Sequence, residues 1–349
     1  MPPAEGPIGQ EGVPGRDGPP GREGLPGKDG VPSREGPSGH GVPGRGARPG
    51  RHSSRADEVV EAGRHAPPSP PVGLGGALTA LGDLAADGVR VSASVWDLDD
   101  GTELLAVDDR VVLPVGQLGA VLLLIEVSAQ IEAGQLGALD ELERIAGPGS
   151  RAALGGGGIW SYLQRRRLAV TDAAALVGAV RDPAAVNALL ARVGLEAVRA
   201  RADDLGVRHT ALLDEIRSER GPDDAPAPSV GSTRELAQLT ALLAQGQVVG
   251  SAVSSRVLGW LSLGVDLSFV AAPLGLDPVS HRRTDHDLQL VNAVGSDRGV
   301  RSELGVLRGP RGGVAYAVTT TFDDLTLERR LRVLTAARAV GVDLLARVR

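Results

Sequence analysis

From Gly6 to Gly30, glycine stands at every third position without a miss, and nothing else in this chain so narrows what a segment can fold into. Only glycine fits at the crowded axis of a collagen triple helix, so a strict three-residue period points to that structure. The fillers fit as well: prolines, and opposite charges side by side, as in Gly21-Arg22-Glu23-Gly24-Leu25-Pro26-Gly27-Lys28-Asp29-Gly30. Ser33 interrupts the period, and Gly36 and Gly39 resume it. The run is short, Ser33 would put a side chain on the axis, and no heptad pattern lies beside it to register three chains. Residues 1–39 are therefore expected to form a collagen-like arm that is extended and disordered; weak trimerisation through residues 6–39 is the other reading. Residues 40–72 read as a Pro/Gly/Arg/Ser-rich linker closed by Pro67, Pro68, Pro70 and Pro71. The core must then be built from residues 73–349, which is length enough for one large domain.

Charge and composition exclude several functions. Residues 1–72 carry equal numbers of acidic and basic side chains, so the net charge of −6 belongs to residues 73–349. A mildly acidic domain is a poor phosphate binder, and three Trp, two Tyr and two Phe give no stacking surface, so no nucleic-acid partner is expected. The chain has no cysteine, which removes disulfides and thiolate metal sites. It shows neither a basic-then-apolar leader nor an apolar run of the ~18–20 residues a bilayer requires, so the expectation is a cytoplasmic protein without a membrane partner. Lysine occurs once, at Lys28, and residues 73–349 contain none. A GC-rich coding bias accounts for most replacement of Lys by Arg. It would not remove a lysine that catalysis needed, because Arg cannot shuttle protons near neutral pH.

Apolar periodicity begins at Leu74, and Leu74, Leu78, Leu81 and Leu84 predict a short helix. Val89–Trp96 alternates like a half-buried strand, Asp100-Gly101 is a hairpin signal, and Glu103–Val107 supplies the return strand. Pro114 stands where a helix would start, and Leu118–Val127 is apolar on every side, as in a fully buried helix. Val170–Gly206, Thr233–Gln245 and Ser251–Leu263 continue at helical spacing. Leu288–Val294, Val300–Leu307 and Val314–Thr321 read as three strands, the last two joined by the Gly309–Gly313 turn, and Leu325–Val348 is a closing amphipathic helix. Two strands from one end and three from the other can complete one five-stranded antiparallel sheet, with the first and last helices on its face and the helical middle as a separate lobe: an α+β fold.

Four strings, in order along residues 74–349, carry a resemblance. Leu113-Pro114-Val115-Gly116-Gln117-Leu118-Gly119-Ala120 resembles the Leu-Pro-x-Ala-Ser-x-x-Lys nucleophile helix of the class A β-lactamase and penicillin-binding serine hydrolase family. Val180-Arg181-Asp182-Pro183 with Asn187 resembles the segment around Ser-Asp-Asn and a following Asn, and Ala293-Val294-Gly295 with the glycine turn after it resembles the Lys-Thr-Gly strand. The stretch from Trp260 to His281 is similar to one in actinobacterial serine hydrolases. The resemblance implies a β-lactamase/transpeptidase-like fold without a cofactor. It also implies that the working side chains are gone. Gln117 and Ala120 stand at the Ser and Lys positions, Arg181 and Pro183 at the Ser and Asn positions, and Ala293 and Val294 at the Lys and Thr positions; Asp182 and Gly295 are kept. Arg217-Ser218-Glu219 matches the family's Arg-x-Glu, whose Glu activates the deacylating water, and Glu219 would have nothing to deacylate without an acyl-enzyme. The functional expectation is a catalytically inactive homologue with a binding or regulatory role; the alternative is a hydrolase with relocated machinery. An uncapped helix start after Pro114, with Arg181 and Arg301, would make a pocket for a small anion, the competing reading being Arg181 paired with Asp182 or turned to solvent.

The remaining candidates are weaker. His281, Asp285, His286 and Asp287 cluster, but arginines intervene and the spacing matches no established ligand pattern, so a solvated turn is expected and no metal. Gly155–Gly158 lacks the Lys-Ser/Thr of a phosphate loop and reads as an ordinary loop. A relocated triad using His209 or His281 lacks a Gly-x-Ser-x-Gly elbow.

Overall fold

The computed structural model describes residues 73–145, 158–217, 219–282 and 286–349. The chain divides into two units, Met1–His65 and Ala66–Arg349, and the described residues all lie in the second. The collagen-like arm and its trimerisation, the linker, Gly155–Gly157, Ser218 and Asp285 lie outside the described residues.

The elements run α1 (Gly75–Ala86), β1 (Arg90–Asp97), β2 (Glu103–Val107), β3 (Leu113–Pro114), α2 (Ala120–Glu132) and β4 (Glu141–Glu143). Then come β5 (Arg167–Ala169), α3 (Val170–Val180), α4 (Pro183–Val193), α5 (Leu195–Asp204), β6 (Ala211–Leu212) and β7 (Ser229–Gly231). The chain closes with α6 (Thr233–Ala244), α7 (Ser251–Leu261), β8 (Gln289–Asp297), β9 (Val300–Gly309), β10 (Gly312–Thr321) and α8 (Leu327–Val348).

The main sheet has five antiparallel strands in the order β2-β1-β10-β9-β8. The chain's first hairpin therefore pairs with its last strand, with Val95 opposite Tyr316, as the two-plus-three strand pattern predicts. On one face Val91, Val95, Leu307, Val314, Tyr316 and Val318 pack with Leu81 and Leu84 of α1 and Val333, Val340 and Leu344 of α8. Asp343 of α8 fixes the entry of α1 by accepting the Ala77 N–H at 2.7 Å. On the opposite face Ala293, Leu304 and Ala317 join the core of the helical lobe. Its centre is α2, in which every residue from Ala120 to Ala129 is buried. The expected all-round apolar helix is thus the hub of the lobe.

One local expectation is corrected. Leu113-Pro114 does not start a helix but pairs with β7 as a two-residue strand, and α2 begins only at Ala120. Pro114 has no N–H to lose at a strand edge. Gly116 then turns the chain with φ +60°, a conformation open chiefly to glycine, and its α-carbon lies where a Cβ would meet Ser296 N at 2.6 Å. Turn and strand thus meet too closely for any other residue.

Candidate functional site

The turn 115–119 is gripped from two sides by buried serines. Ser229 of β7 donates its hydroxyl to the Gly116 carbonyl and accepts the Gly119 N–H at 3.0 Å. Ser302 of β9 donates to the Val115 carbonyl at 2.7 Å. Gly295 of β8 lies against the same turn, where a Cβ would collide with the Val115 carbonyl and with Ser302. Both hydroxyls are committed to the backbone, and both serines are buried.

Beside this turn opens a cavity of about 80 Å³, lined by Gln117, Arg181, Asp266, Asn292, Val294 and Ser296 together with Gly264, Ala179 and Val180. Positions from three separate strings of the sequence therefore meet in one place: Gln117 before α2, Arg181 between α3 and α4, and Val294 on β8. The others fall around it. Ala120 is fully enclosed in the lobe core, and Ala293 points into the same core.

Arg181 neither pairs with Asp182 nor turns to solvent: it is buried on the cavity lining. It terminates α3 in a left-handed conformation, φ +54° and ψ +40°. Its guanidinium folds back so that Nη1 donates to the Val177 carbonyl at 2.6 Å and Nη2 to the Gly178 carbonyl at 2.7 Å, capping the helix it ends. Burial pulls this guanidinium down to about 10, and the Asp266 carboxylate works against that pull. Asp182 turns away to cap α4: it accepts the Ala185 N–H at 3.0 Å and the Trp160 N–H at 2.8 Å, and Pro183 follows at the first helical position, where its missing N–H costs nothing. Arg301 is off the cavity lining; burial and the like charge of Arg330 on α8 hold its pKa below the ordinary value, against Asp266.

The Arg-x-Glu candidate is not at the cavity. Glu219 is exposed, and Arg217 pairs with Asp214, Glu215 and Asp224. The loop that carries them is pinned from below by Asn187, whose side chain accepts the Ile216 N–H at 2.8 Å and donates to the Ile216 carbonyl at 2.9 Å. It is tied to the end of β8 by Arg220, 3.0 Å from Asp297. His281 and His286 border a separate hollow of about 270 Å³ with Asp277 and Ser280. Among the described residues no group of three or more His, Asp or Glu side chains is placed to hold a metal ion, and His209 is not on the cavity lining. No described helix is long and apolar enough to cross a membrane.

Asp266, Asn292 and Ser296 are polar lining residues that the sequence did not single out. Asn292 and Ser296 flank Ala293-Val294-Gly295, and a strand running along a cleft rim would have pointed to them. Asp266 lies in an irregular segment without any periodic signal.

Residues 76–347 match the family model described as the Beta-lactamase enzyme family. Among solved structures, the chain is similar in fold to a beta-lactamase from Sphaerobacter thermophilus DSM 20745, with a TM-score of 0.64 and 18% identity over 76% of this chain and 95% of that one. It is similar to PBP-A, at a TM-score of 0.62 and 16% identity over 79% of this chain and 97% of that one. The chromosome-encoded beta-lactamase of Vibrio parahaemolyticus gives a TM-score of 0.61 at 15% identity, over 75% and 97% of the two chains. No curated protein matches the sequence.

Proposed function

The chain belongs to the beta-lactamase enzyme family, and from that premise we propose that it keeps the family's fold without its serine acyl transfer, and acts as a binding or regulatory homologue. The observation that carries this reading is the residue at the mouth of α2. Gln117 lines the cavity, and an amide is no nucleophile. No lysine exists in residues 73–349 to serve as base, and Ala120 is enclosed in the core. A cavity of about 80 Å³ is also a fraction of the roughly 300–1,000 Å³ that encloses a drug-sized ligand. The ligand proposed for it is a small anion held by Arg181, with Arg301 acting at longer range across Asp266.

The second reading, a hydrolase with relocated residues, is favoured by Ser296, a serine on the cavity lining. Against it, the lining holds neither His nor Lys, and Asp266 is its one carboxylate.

Intact-mass spectrometry after incubation with a penicillin and with a chromogenic cephalosporin tests both readings. No adduct and no turnover above buffer are expected. A stoichiometric adduct lost in Ser296→Ala would establish the relocated hydrolase, and an adduct on any other serine would equally end the non-catalytic reading. A melt screen with acetate and phosphate tests the ligand: a rise in melting temperature with either anion is expected, and no shift with any anion would remove it.

A further inference from the structure

Glu303 of β9 carries a carboxyl group in the middle of the sheet, with no exposed surface. Four donors converge on it. The Tyr316 hydroxyl from β10 donates at 2.7 Å and the Asn292 side chain from β8 at 3.0 Å, both to Oε1; the Val270 N–H donates to Oε2 at 2.7 Å, and the Ala271 N–H adds a fourth bond. Among the described residues no cation pairs with it. Four bonds satisfy its lone pairs but leave a buried charge without a counter-ion.

The same contacts build one wall of the cavity. Asn292, which lines it, also donates to the Asp266 carbonyl at 3.0 Å. Gly264 lies so close that a Cβ there would meet the Asn292 carbonyl at 2.9 Å. On its other side the segment is pressed on α8, where a Cβ at Gly341 would collide with the Val270 carbonyl. Residues 264–271 therefore rest on the sheet through Asn292 and on the Glu303 carboxyl through two backbone amides.

We propose that Glu303 is a positioning residue through which pH sets this wall: protonated, it holds residues 264–271 closed, and ionised, it favours an opening that lets water reach the carboxylate. Burial pushes the carboxyl up to about 7 against the pull of its four hydrogen bonds, so the enclosed group prefers its proton. An opening that admits water returns it toward the ordinary value of 4.5. The closed wall is then fully favoured below that ordinary value, loses the contribution as pH rises to about 7, and changes little beyond. The titratable group in contact with it is Tyr316 on β10, pushed well above its ordinary value by burial and by Glu303; farther off, Asp266 on the wall and Arg330 on α8 act on Arg301 of β9. The rest of α8 on this face is apolar, with Val333, Ala337 and Val340, and β8 contributes the uncharged Asn292.

Hydrogen exchange of the full chain between about pH 5 and pH 8, corrected for the intrinsic rate, tests this, with peptides over 264–274 as probe and over 120–132 as internal control. Opening of 264–274 should rise roughly 70-fold across that range while 120–132 keeps its protection. Glu303→Gln should flatten the profile. Tyr316→Phe removes a donor that favours the ionised form, so its midpoint should move upward even if the Gln variant fails to fold. A flat wild-type profile, a parallel rise at 120–132, an unmoved midpoint in Tyr316→Phe, or loss of the profile in Asp266→Asn alone would each overturn the proposal.

Discussion

Gln117 stands on a turn whose backbone is held by Ser229, Ser302 and the close approach of Gly295, so its place is set by groups other than its own side chain. Changing that side chain should therefore leave the turn in place. Ala120 is different: it is fully enclosed, and a lysine there must shed its charge or draw water into the core. Gln117→Ser with Ala120→Lys is predicted to lower the melting temperature and to leave cephalosporin hydrolysis at the buffer rate. Arg181, Pro183, Ala293 and Val294 would still supply neither a proton relay nor a substrate clamp, and parts of one catalytic unit rebuilt singly gain little. Efficient turnover by the double variant, followed spectrophotometrically, would show that those positions are not what their strings suggest.

Between α3 and α4 the chain turns within two residues, and each caps a different helix: Arg181 the end of α3, Asp182 the start of α4. Asp182 also accepts the N–H of the buried Trp160, and the carboxylate fills the space where a Cβ on Gly158 would stand. This gives Asp182 a structural role that needs no chemistry in the cleft. Asp182→Ala removes a helix cap and leaves the Trp160 N–H buried without an acceptor. Its predicted cost is about 2–4 kcal/mol in urea unfolding, and Asp182→Asn should recover part of it. A loss under about 0.5 kcal/mol, the usual range for a surface change, would assign Asp182 no such role.

In the described domain the first hairpin joins the last strand inside one open sheet, with a large apolar cluster on each face and a third, small one around Val306 and Ala315. The two large clusters are built from residues from Leu74 onward, and Asp343 of α8 caps α1. Residues 73–349 are accordingly predicted to fold alone, and thermal melts of the full chain and of a form lacking residues 1–72 should agree within a few degrees, about 1 kcal/mol or less for a domain of this size. An insoluble or molten truncated form would show that the arm or linker belongs to the core.

The five strands of the main sheet and the main helical stretches were legible in the sequence because period-2 and period-3.6 apolar patterns report which local face is buried, and tight turns force neighbours to pair antiparallel; the two- and three-residue strands β3 to β7 are too short to show a period. Glu103–Val107 and Val300–Leu307 fall inside observed strands for this reason, and Leu118–Val127 overlaps the hub helix. Gln117, Arg181 and Val294 could be named as positions, because strings in a family-like order suggest which segments meet. Tertiary structure decided what those side chains do. Pro114 extends a sheet because Val230 lies beside it; Arg181 caps its own helix because the turn is left-handed; Glu219 stays outside because Asn187 holds Ile216 in the loop beside it. The Asn292–Asp266 and Glu303–Val270 contacts join β8 and β9 to an irregular segment 26 and 33 residues earlier, and no local pattern records them. Periodicity encodes the burial of faces, whereas a cavity and the charge of a buried carboxyl depend on which distant backbone donors the closed fold brings within hydrogen-bond reach.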